Sequence, residues 1–296
     1  MAETAGSAIT ASVGLILLSA LVLGLIHGVT PDEHTWPITF SYAISGFSSR
    51  RGMLAGIWFA LAFTLQRALA SELAYLSLGH WLEVGRSEPL VDAAVGVVMV
   101  LAGLYMVRQG HGWHLDLGAL LTSRPSSRRS LPARMAATHG FLAGWAFGPF
   151  AIVIYSVLAP NMRSAWLGWM PGALFGIGTL LTQAVLGALL GGWISRRLPG
   201  AKGNQLAQLI AIRTLLIGGS AFTLAGIAGV AFPVIDSWSV ATGIDVYNLD
   251  QVNLGLVLVL FTVLFVGVGT ILQVLRKSGV GPAEDGREPS PSVPVG

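Results

Sequence analysis

The chain has 296 residues, of which 53% are hydrophobic and only 10% are charged, and its formal net charge is +3. Soluble domains carry about 25% charged residues, so this composition predicts an integral membrane protein and excludes an ordinary soluble domain. The absence of cysteine excludes disulfides, thiolate metal sites and thiol redox relays.

Long apolar stretches recur along the chain, and each is close to the roughly 20 residues that a helix needs to cross a bilayer core. They should be α-helices, because lipid cannot satisfy open backbone groups. A shorter apolar segment, 35–47, is too short to cross alone. The sequence therefore predicts an all-α membrane protein, a polytopic helical bundle. In chain order the long stretches are 8–26, 53–79, 90–107, 135–160, 171–194, 209–232 and 252–275.

The basic residues predict the orientation. Arg50 and Arg51 follow the first helices, and the linker 108–134 carries five arginines, whereas the segment 233–251 has three aspartates and no base. The positive-inside rule places the basic segments in the cytoplasm and the acidic segment outside. No Lys or Arg precedes Arg50, which favours an external N-terminus and one broken crossing over 8–47. A full helix followed by a re-entrant helix is the alternative.

A weak internal repeat divides the chain. The stretches "HGVTPDEHTWP" from His27 and "HGFLAGWAFGP" from His139 both read His-Gly, eight residues, then Pro. Two further apolar stretches follow each of them. We therefore predict two inverted three-helix repeats with broken first helices, plus one extra C-terminal helix, a common transporter plan.

The repeat, the basic linker and the composition of the tail together predict the organisation of the whole chain. The last segment is rich in Pro, Gly and Ser, which is typical of disorder. His111 and His114, in the basic linker, are predicted to lie in a solvated loop. The predicted segments are the first membrane repeat 1–107, the basic cytoplasmic linker 108–134, the second membrane repeat 135–232, the external acidic loop 233–251, the last membrane helix 252–275 and the disordered tail 276–296.

Polar side chains crowd into eight positions of apolar sequence at 27–34. In a continuous helix His27 and His34 would lie about 10 Å apart along the axis, and metal–ligand bonds are only about 2 Å long. Gly28 and Pro31 predict a break instead. Thr30 then reads as the cap of a new helix that begins at Pro31, with Glu33 completing a capping box.

The residues around this break form the predicted site. Ionisable groups inside a membrane are functional by default, so we predict His27, Asp32 and His34 as metal ligands. Glu33 is open between a ligand and a helix cap. The position of His139 in the repeat makes it a fourth candidate ligand, with a hydrogen-bonded structural histidine as the alternative.

The apolar stretches also contain three regularly spaced glycines and two arginines. Glycines spaced by four residues predict close packing of the fourth crossing against the first. Arg67 and Arg213 are predicted to be interfacial or paired. The glycines are Gly140, Gly144 and Gly148.

Imidazole and carboxylate without thiolate suit a divalent transition ion such as nickel, cobalt or zinc. Affinity should fall as the pH drops through the imidazole range, because the ligands must be deprotonated. We predict that the ion is a substrate and that no cofactor is tightly bound. The lipid bilayer is the other predicted partner, and no nucleic acid is expected. Oligomeric state does not follow from the sequence.

The motif resembles that of the nickel/cobalt transporter family, whose members carry His, four residues, Asp, His in an early membrane helix. Related nickel/cobalt efflux and urease-accessory membrane proteins carry His, three residues, Pro, Gly, His. Here His27 is followed by Pro31 and then by Asp32, Glu33 and His34, so Glu33 is an extra residue between the matched positions. The paired three-helix plan is similar to the wider superfamily of amino-acid exporters and transmembrane thiol-electron carriers.

The resemblance implies a multi-pass carrier for nickel or cobalt in a cell membrane, a prokaryotic plasma membrane, and not an enzyme. Two alternatives stay open. One is a carrier of another small solute or an anion, with histidines relaying protons. The other is a membrane-embedded metal-dependent hydrolase that uses the same cluster to activate water.

Overall fold

The computed structural model describes residues 2–76, 88–110, 133–244 and 249–278. It confirms an all-α polytopic membrane bundle. His111, His114 and the tail from residue 279 lie outside the described residues. Within them, five helices are long and apolar enough to span a bilayer: Ser49–Tyr75, Glu88–Arg108, Met170–Arg197, Gly200–Ala231 and Leu254–Arg276.

The first half of the chain contains a broken helix and two long ones. Thr30 and the turn that follows it interrupt the broken helix. The last described element of this half is α4. The elements are α1 (Ala2–Val29), α2 (Trp36–Gly46), α3 (Ser49–Tyr75) and α4 (Glu88–Gly110).

The second half repeats this order. Its broken helix is interrupted between Ala143 and Pro149, and its last crossing is one continuous helix with a π-helical turn inside it. The elements are α5 (Ala133–Ala143), α6 (Pro149–Val153) continued by the π-helical turn Ile154–Leu158, α7 (Met170–Arg197), α8 (Gly200–Arg213), the π-helical turn Thr214–Gly218 and α9 (Gly219–Ala231).

The last part of the chain adds one further crossing. Before it, inside the predicted acidic loop, two short strands pair antiparallel, with Val240 opposite Val252. The sequence pattern of this segment does not indicate these strands. The elements are α10 (Pro233–Asp236), β1 (Ser239–Ala241), β2 (Gln251–Asn253), α11 (Leu254–Val259), the π-helical segment Leu260–Val268 and α12 (Gly269–Ser278).

The directions of α1 and α2 decide how this segment crosses. Gly24 of α1 lies against Phe175 of α7, and Gly28 lies one turn further along, against Thr182. On α2, Thr39 hydrogen-bonds Gln183, and Ala43 lies beside Gly191. Both helices therefore advance along α7 in the same direction, which favours the single broken crossing over the re-entrant alternative.

The two halves pack through a pseudo-two-fold relationship. Gly24 lies against the carbonyl of Phe175, and Gly140 lies against the carbonyl of Phe59. Gly140 follows Gly24 by 116 residues, and Phe175 follows Phe59 by the same 116 residues. A Cβ at either glycine would clash with the facing backbone, so glycine allows this close approach.

The same relationship shows that the halves are inverted. Gly52 of α3 lies against Gly187 of α7, whereas Arg67, later in α3, lies against Gly172, earlier in α7. The helices α3 and α7 are therefore antiparallel.

Gly140 of α5 lies against Phe59 of α3 and Gly144 lies against Gln66, so α5 runs parallel to α3. Because α1 runs parallel to α7, the two broken helices run in opposite directions, as the repeat predicts.

The distribution of charge follows this arrangement. Ser48 and Ser49 lie beside Gly191 and Gly192, so the neighbouring arginines of α3 and α7 share one end of the bundle. The acidic segment 233–251 joins helices at the other end. The positive-inside rule assigns the basic end to the cytoplasm.

The outer surface of the bundle matches a lipid environment. Large apolar side chains on several helices are exposed, while the buried polar groups face between the helices. Such a surface is stable in a bilayer and unfavourable in water. Representative exposed side chains are Leu15, Leu61, Leu181, Leu224 and Phe265.

Candidate metal site

The helix break forms because Thr30 ends α1. Its backbone N–H donates to the carbonyl of Ile26 at 3.0 Å. Its hydroxyl donates back to the carbonyls of Ile26 and His27, at 3.1 and 3.2 Å. These bonds satisfy the last turn of the helix, where carbonyls otherwise lack partners.

The capping box predicted at Thr30 is therefore wrong, although the predicted break is confirmed. Helix α2 begins at Trp36, with Pro37 in its first turn and Thr35 as an N-cap that makes no side-chain capping bond. Thr30 does not cap α2 because that helix begins six residues later, at Trp36. Glu33 lies in the turn before α2 and does not cap it.

Asp32 organises the turn between the two helices. Its Oδ1 accepts the backbone N–H of His34 at 3.0 Å, and its carbonyl accepts the N–H of Trp36 at 3.0 Å. This is the local turn that aspartate favours. It leaves the second carboxylate oxygen, Oδ2, free to face His27 at 3.8 Å from Nδ1.

His27 is a buried imidazole without conventional partners. Its side chain packs against the rings of Phe63 and Phe175, with centroid distances of 5.7 and 5.2 Å. Neither ring nitrogen has a hydrogen-bond partner among the described residues. Buried polar atoms are normally hydrogen-bonded, so these two nitrogens require an explanation.

His34 is surrounded by carboxylates. Its Nε2 lies 3.0 Å from Oδ1 of Asp92, and its Nδ1 lies 3.5 Å from Oε1 of Glu33. Ligand atoms of Asp32, Glu33 and His34 all lie within 4.8 Å of one another, a spacing that could hold a metal ion. The break thus brings an imidazole and two carboxylates of the predicted motif together.

Glu33 also contacts the last crossing. A Cβ added at Gly255 would lie 2.7 Å from Cδ of Glu33, so the carboxylate sits directly on the first turn of α11. The N-terminal end of a helix favours negative charge. Glycine at 255 leaves the room that this approach requires.

The site opens into a cavity of about 330 Å³. Its inner wall is formed by His27, Asp32 and His34, and its rim includes exposed residues of the acidic segment, Trp238 and Asp250 among them. The cavity therefore faces the end of the bundle that the charge distribution assigns to the outside. A ligand could reach the imidazoles from that side.

His139 does not line this cavity. It is fully buried in α5, where its Nδ1 lies 3.0 Å from the hydroxyl of Tyr42 and 3.1 Å from the carbonyl of Met135. The other three predicted ligands line the cavity together. The group whose ligand atoms all lie within 4.8 Å of one another, however, contains Asp32, Glu33 and His34, and not His27.

The register of the repeat explains the position of His139. His139 follows His27 by 112 residues in the sequence, whereas structurally equivalent residues are 116 apart. The two histidines are therefore one helical turn out of register. The structural equivalent of His27 is Ala143, which does line the cavity.

The sequence pattern did not mark Asp92 or Arg67 as residues of the site. Asp92 is 3% exposed near the start of α4, inside the predicted apolar stretch 90–107. Its charge inside that stretch was the available signal. Arg67, predicted to be interfacial or paired, is buried and lines the cavity.

Arg67 is held by neutral partners and aromatic rings. Its Nη1 donates to the hydroxyl of Tyr155 at 3.1 Å, and its Nη2 donates to the carbonyl of Ala146 at 2.9 Å. Its Cζ lies 4.6 Å from the ring centroid of Phe63, within cation–π distance. The cavity thus contains a fixed positive charge beside the carboxylates.

Comparison of the chain with protein-family models, with curated proteins and with solved structures finds no match. The function is therefore inferred from the geometry of this site.

Proposed function

We propose that this multi-pass membrane protein carries a divalent transition-metal ion, nickel or cobalt, through a site formed by His27, Asp32 and His34. The resemblance of the motif to the nickel/cobalt transporter family supports the choice of ion. The inverted halves supply a plan in which the two halves rock around a central site.

The main support for the proposal is the unsatisfied hydrogen-bonding capacity of the His27 imidazole. Its two ring nitrogens are buried without hydrogen-bond partners among the described residues, and a carboxylate oxygen of Asp32 lies 3.8 Å away. A divalent ion beside His27 would satisfy one nitrogen and would be attracted by the carboxylates around it. Asp92, whose Oδ1 lies 3.0 Å from Nε2 of His34, would orient that imidazole, as carboxylates commonly do for metal-bound imidazoles, and would leave Nδ1 for the ion.

The experiment is metal entry into proteoliposomes that contain a nickel- or cobalt-sensitive fluorophore. We expect wild type to transport the ion and His27→Ala to abolish transport at equal protein content. His139→Gln is the matched control, because His139 is a buried histidine outside the cavity. Equal transport by wild type and His27→Ala would contradict the proposal.

A second candidate function is favoured by Arg67. A buried guanidinium in the cavity is what a carrier of a small anion would use. Metal binding separates the two candidates: a metal carrier binds nickel or cobalt after purification, whereas an anion carrier binds neither ion.

A further inference from the structure

Arg67 is a feature of the cavity that a bare metal ion does not explain. The side chain is 3% exposed and lines the same cavity as His27 and Asp32. Arginine keeps its charge in proteins, and a buried charge is costly unless it is paired. A buried guanidinium therefore calls for a negative partner.

The chain itself does not supply that partner among the described residues. Both bonds that Arg67 donates go to uncharged oxygens, those of Tyr155 and Ala146. Its Nε is buried and has no hydrogen-bond partner there. No carboxylate of the described residues forms an ion pair with the guanidinium.

Both carboxylate oxygens of Asp32 face groups other than Arg67. Its Oδ1 accepts the backbone N–H of His34, and its Oδ2 faces His27. The guanidinium and His27 instead share the rings of Phe63 and Phe175, which lie 4.6 and 5.6 Å from Cζ of Arg67. A divalent cation bound at His27 would therefore lie near a fixed positive charge and be repelled by it.

The cavity is large enough to hold a small ligand in addition to the metal ion. A water molecule occupies about 30 Å³ of liquid, whereas this cavity holds about 330 Å³. That volume is at the lower end of the range for sites that bind small organic molecules. An ion with a small bound ligand fits it.

Resting on the proposed function, we infer that the cavity binds the metal ion together with a small oxyanion, a carboxylate or a phosphate, whose oxygens are held by Arg67. The oxyanion neutralises the buried guanidinium. It also offsets the repulsion between that guanidinium and the ion. Guanidinium groups suit both oxyanions because their planar donors match the oxygen geometry.

The test measures nickel binding by the purified full-length protein in lipid nanodiscs. Ni²⁺ is titrated over the same range of free Ni²⁺ activity while the accompanying anion is perchlorate, acetate or inorganic phosphate. We expect wild-type affinity to rise at least about tenfold, equivalent to about 1.4 kcal/mol, with acetate or with phosphate over perchlorate. The anion that gives the larger rise identifies the chemical source.

Variants of Arg67 assign the effect to this side chain. Arg67→Gln should abolish the rise, and Arg67→Lys should keep part of it, because lysine retains charge but not the planar donors. Arg50→Gln, which removes an exposed positive charge, is the matched control and should keep the full rise. The wild-type measurement tests the inference even where a variant fails to fold.

The outcomes separate this inference from the proposed function. Wild type that binds Ni²⁺ equally in all three anions, or Arg67→Gln that keeps the rise, would overturn the inference and leave the metal carrier standing. Wild type that binds neither Ni²⁺ nor Co²⁺ in any anion would overturn the proposed function. Radiolabelled acetate or phosphate bound without metal, and lost in Arg67→Gln, would support the oxyanion site on its own.

Discussion

The Nδ1 atom of His27 lies 3.8 Å from Oδ2 of Asp32, across the break between α1 and α2. The two residues are five positions apart, and a continuous helix would hold them on different faces. Thr30 ends the first helix, and the turn at Asp32 places its carboxylate toward His27. The proposed metal site depends on this turn.

A double-mutant cycle tests whether His27 and Asp32 bind the same ion. We expect His27→Gln and Asp32→Asn each to reduce nickel affinity by at least about tenfold. The double variant should lose much less than the product of the two losses, because residues that share a ligand are coupled. Isothermal titration of the purified protein measures all four affinities. Independent, multiplicative losses would place the two residues at separate sites.

Asp92 gives a second prediction, on the orientation of His34. We expect Asp92→Asn to weaken nickel binding by about 10- to 100-fold, the usual effect of removing a carboxylate that orients a metal-bound histidine. Asp250→Asn, which changes an exposed carboxylate at the cavity rim, is the control and should have a much smaller effect. Affinity that is insensitive to Asp92→Asn would mean that His34 needs no such partner.

His139 gives a third prediction. His139→Gln should leave nickel affinity within about twofold of wild type, because His139 does not line the cavity. Tyr42→Phe and His139→Gln should each cost about 1 kcal/mol of unfolding free energy, the net value of a typical hydrogen bond. Thermal unfolding in detergent and nickel titration measure the two effects. A tenfold loss of affinity in His139→Gln would return this residue to the site.

The paired glycines give a fourth prediction, on the packing of the two halves. Gly24→Ala and Gly140→Ala should each destabilise the fold by about 1–3 kcal/mol, because the new Cβ must push apart two closely packed helices. Gly14→Ala is the control, since its Cβ would have no atom within 4 Å. Unfolding free energies measured by steric trapping compare the three variants. Equal stability in all three would contradict the close approach.

The membrane class, the helices and the helix break could be predicted from the sequence. In lipid, a chain of this hydropathy forms helices, because each backbone polar group must be hydrogen-bonded within its own segment. Pro31, together with the polar cluster around it, marked the break. The order of broken and long helices was also predictable from the repeat that begins at His27 and His139. The membrane class, the helices and the break are local features, so neighbouring residues determine them.

The sequence did not predict whether the Thr30 hydroxyl bonds to the preceding helix or to the following one. A threonine hydroxyl can bond forward to the N–H groups of a new helix or backward to the carbonyls of the preceding one. Both options read the same in the sequence. In the structure the Thr30 hydroxyl donates to the preceding helix, and α2 begins only at Trp36.

The tertiary structure determined which side chains form the site. Asp92 reaches His34 from a helix that begins more than fifty residues later in the chain, and Arg67 reaches the cavity from α3. His139 matched the motif in the sequence, but the helices pack with a register four residues different, which keeps it out of the cavity. Sequence determined which segments cross the membrane because burial in lipid acts on each segment alone. Only the packing of the inverted halves decided which side chains meet, because helix register is set by close contacts between residues far apart in the chain.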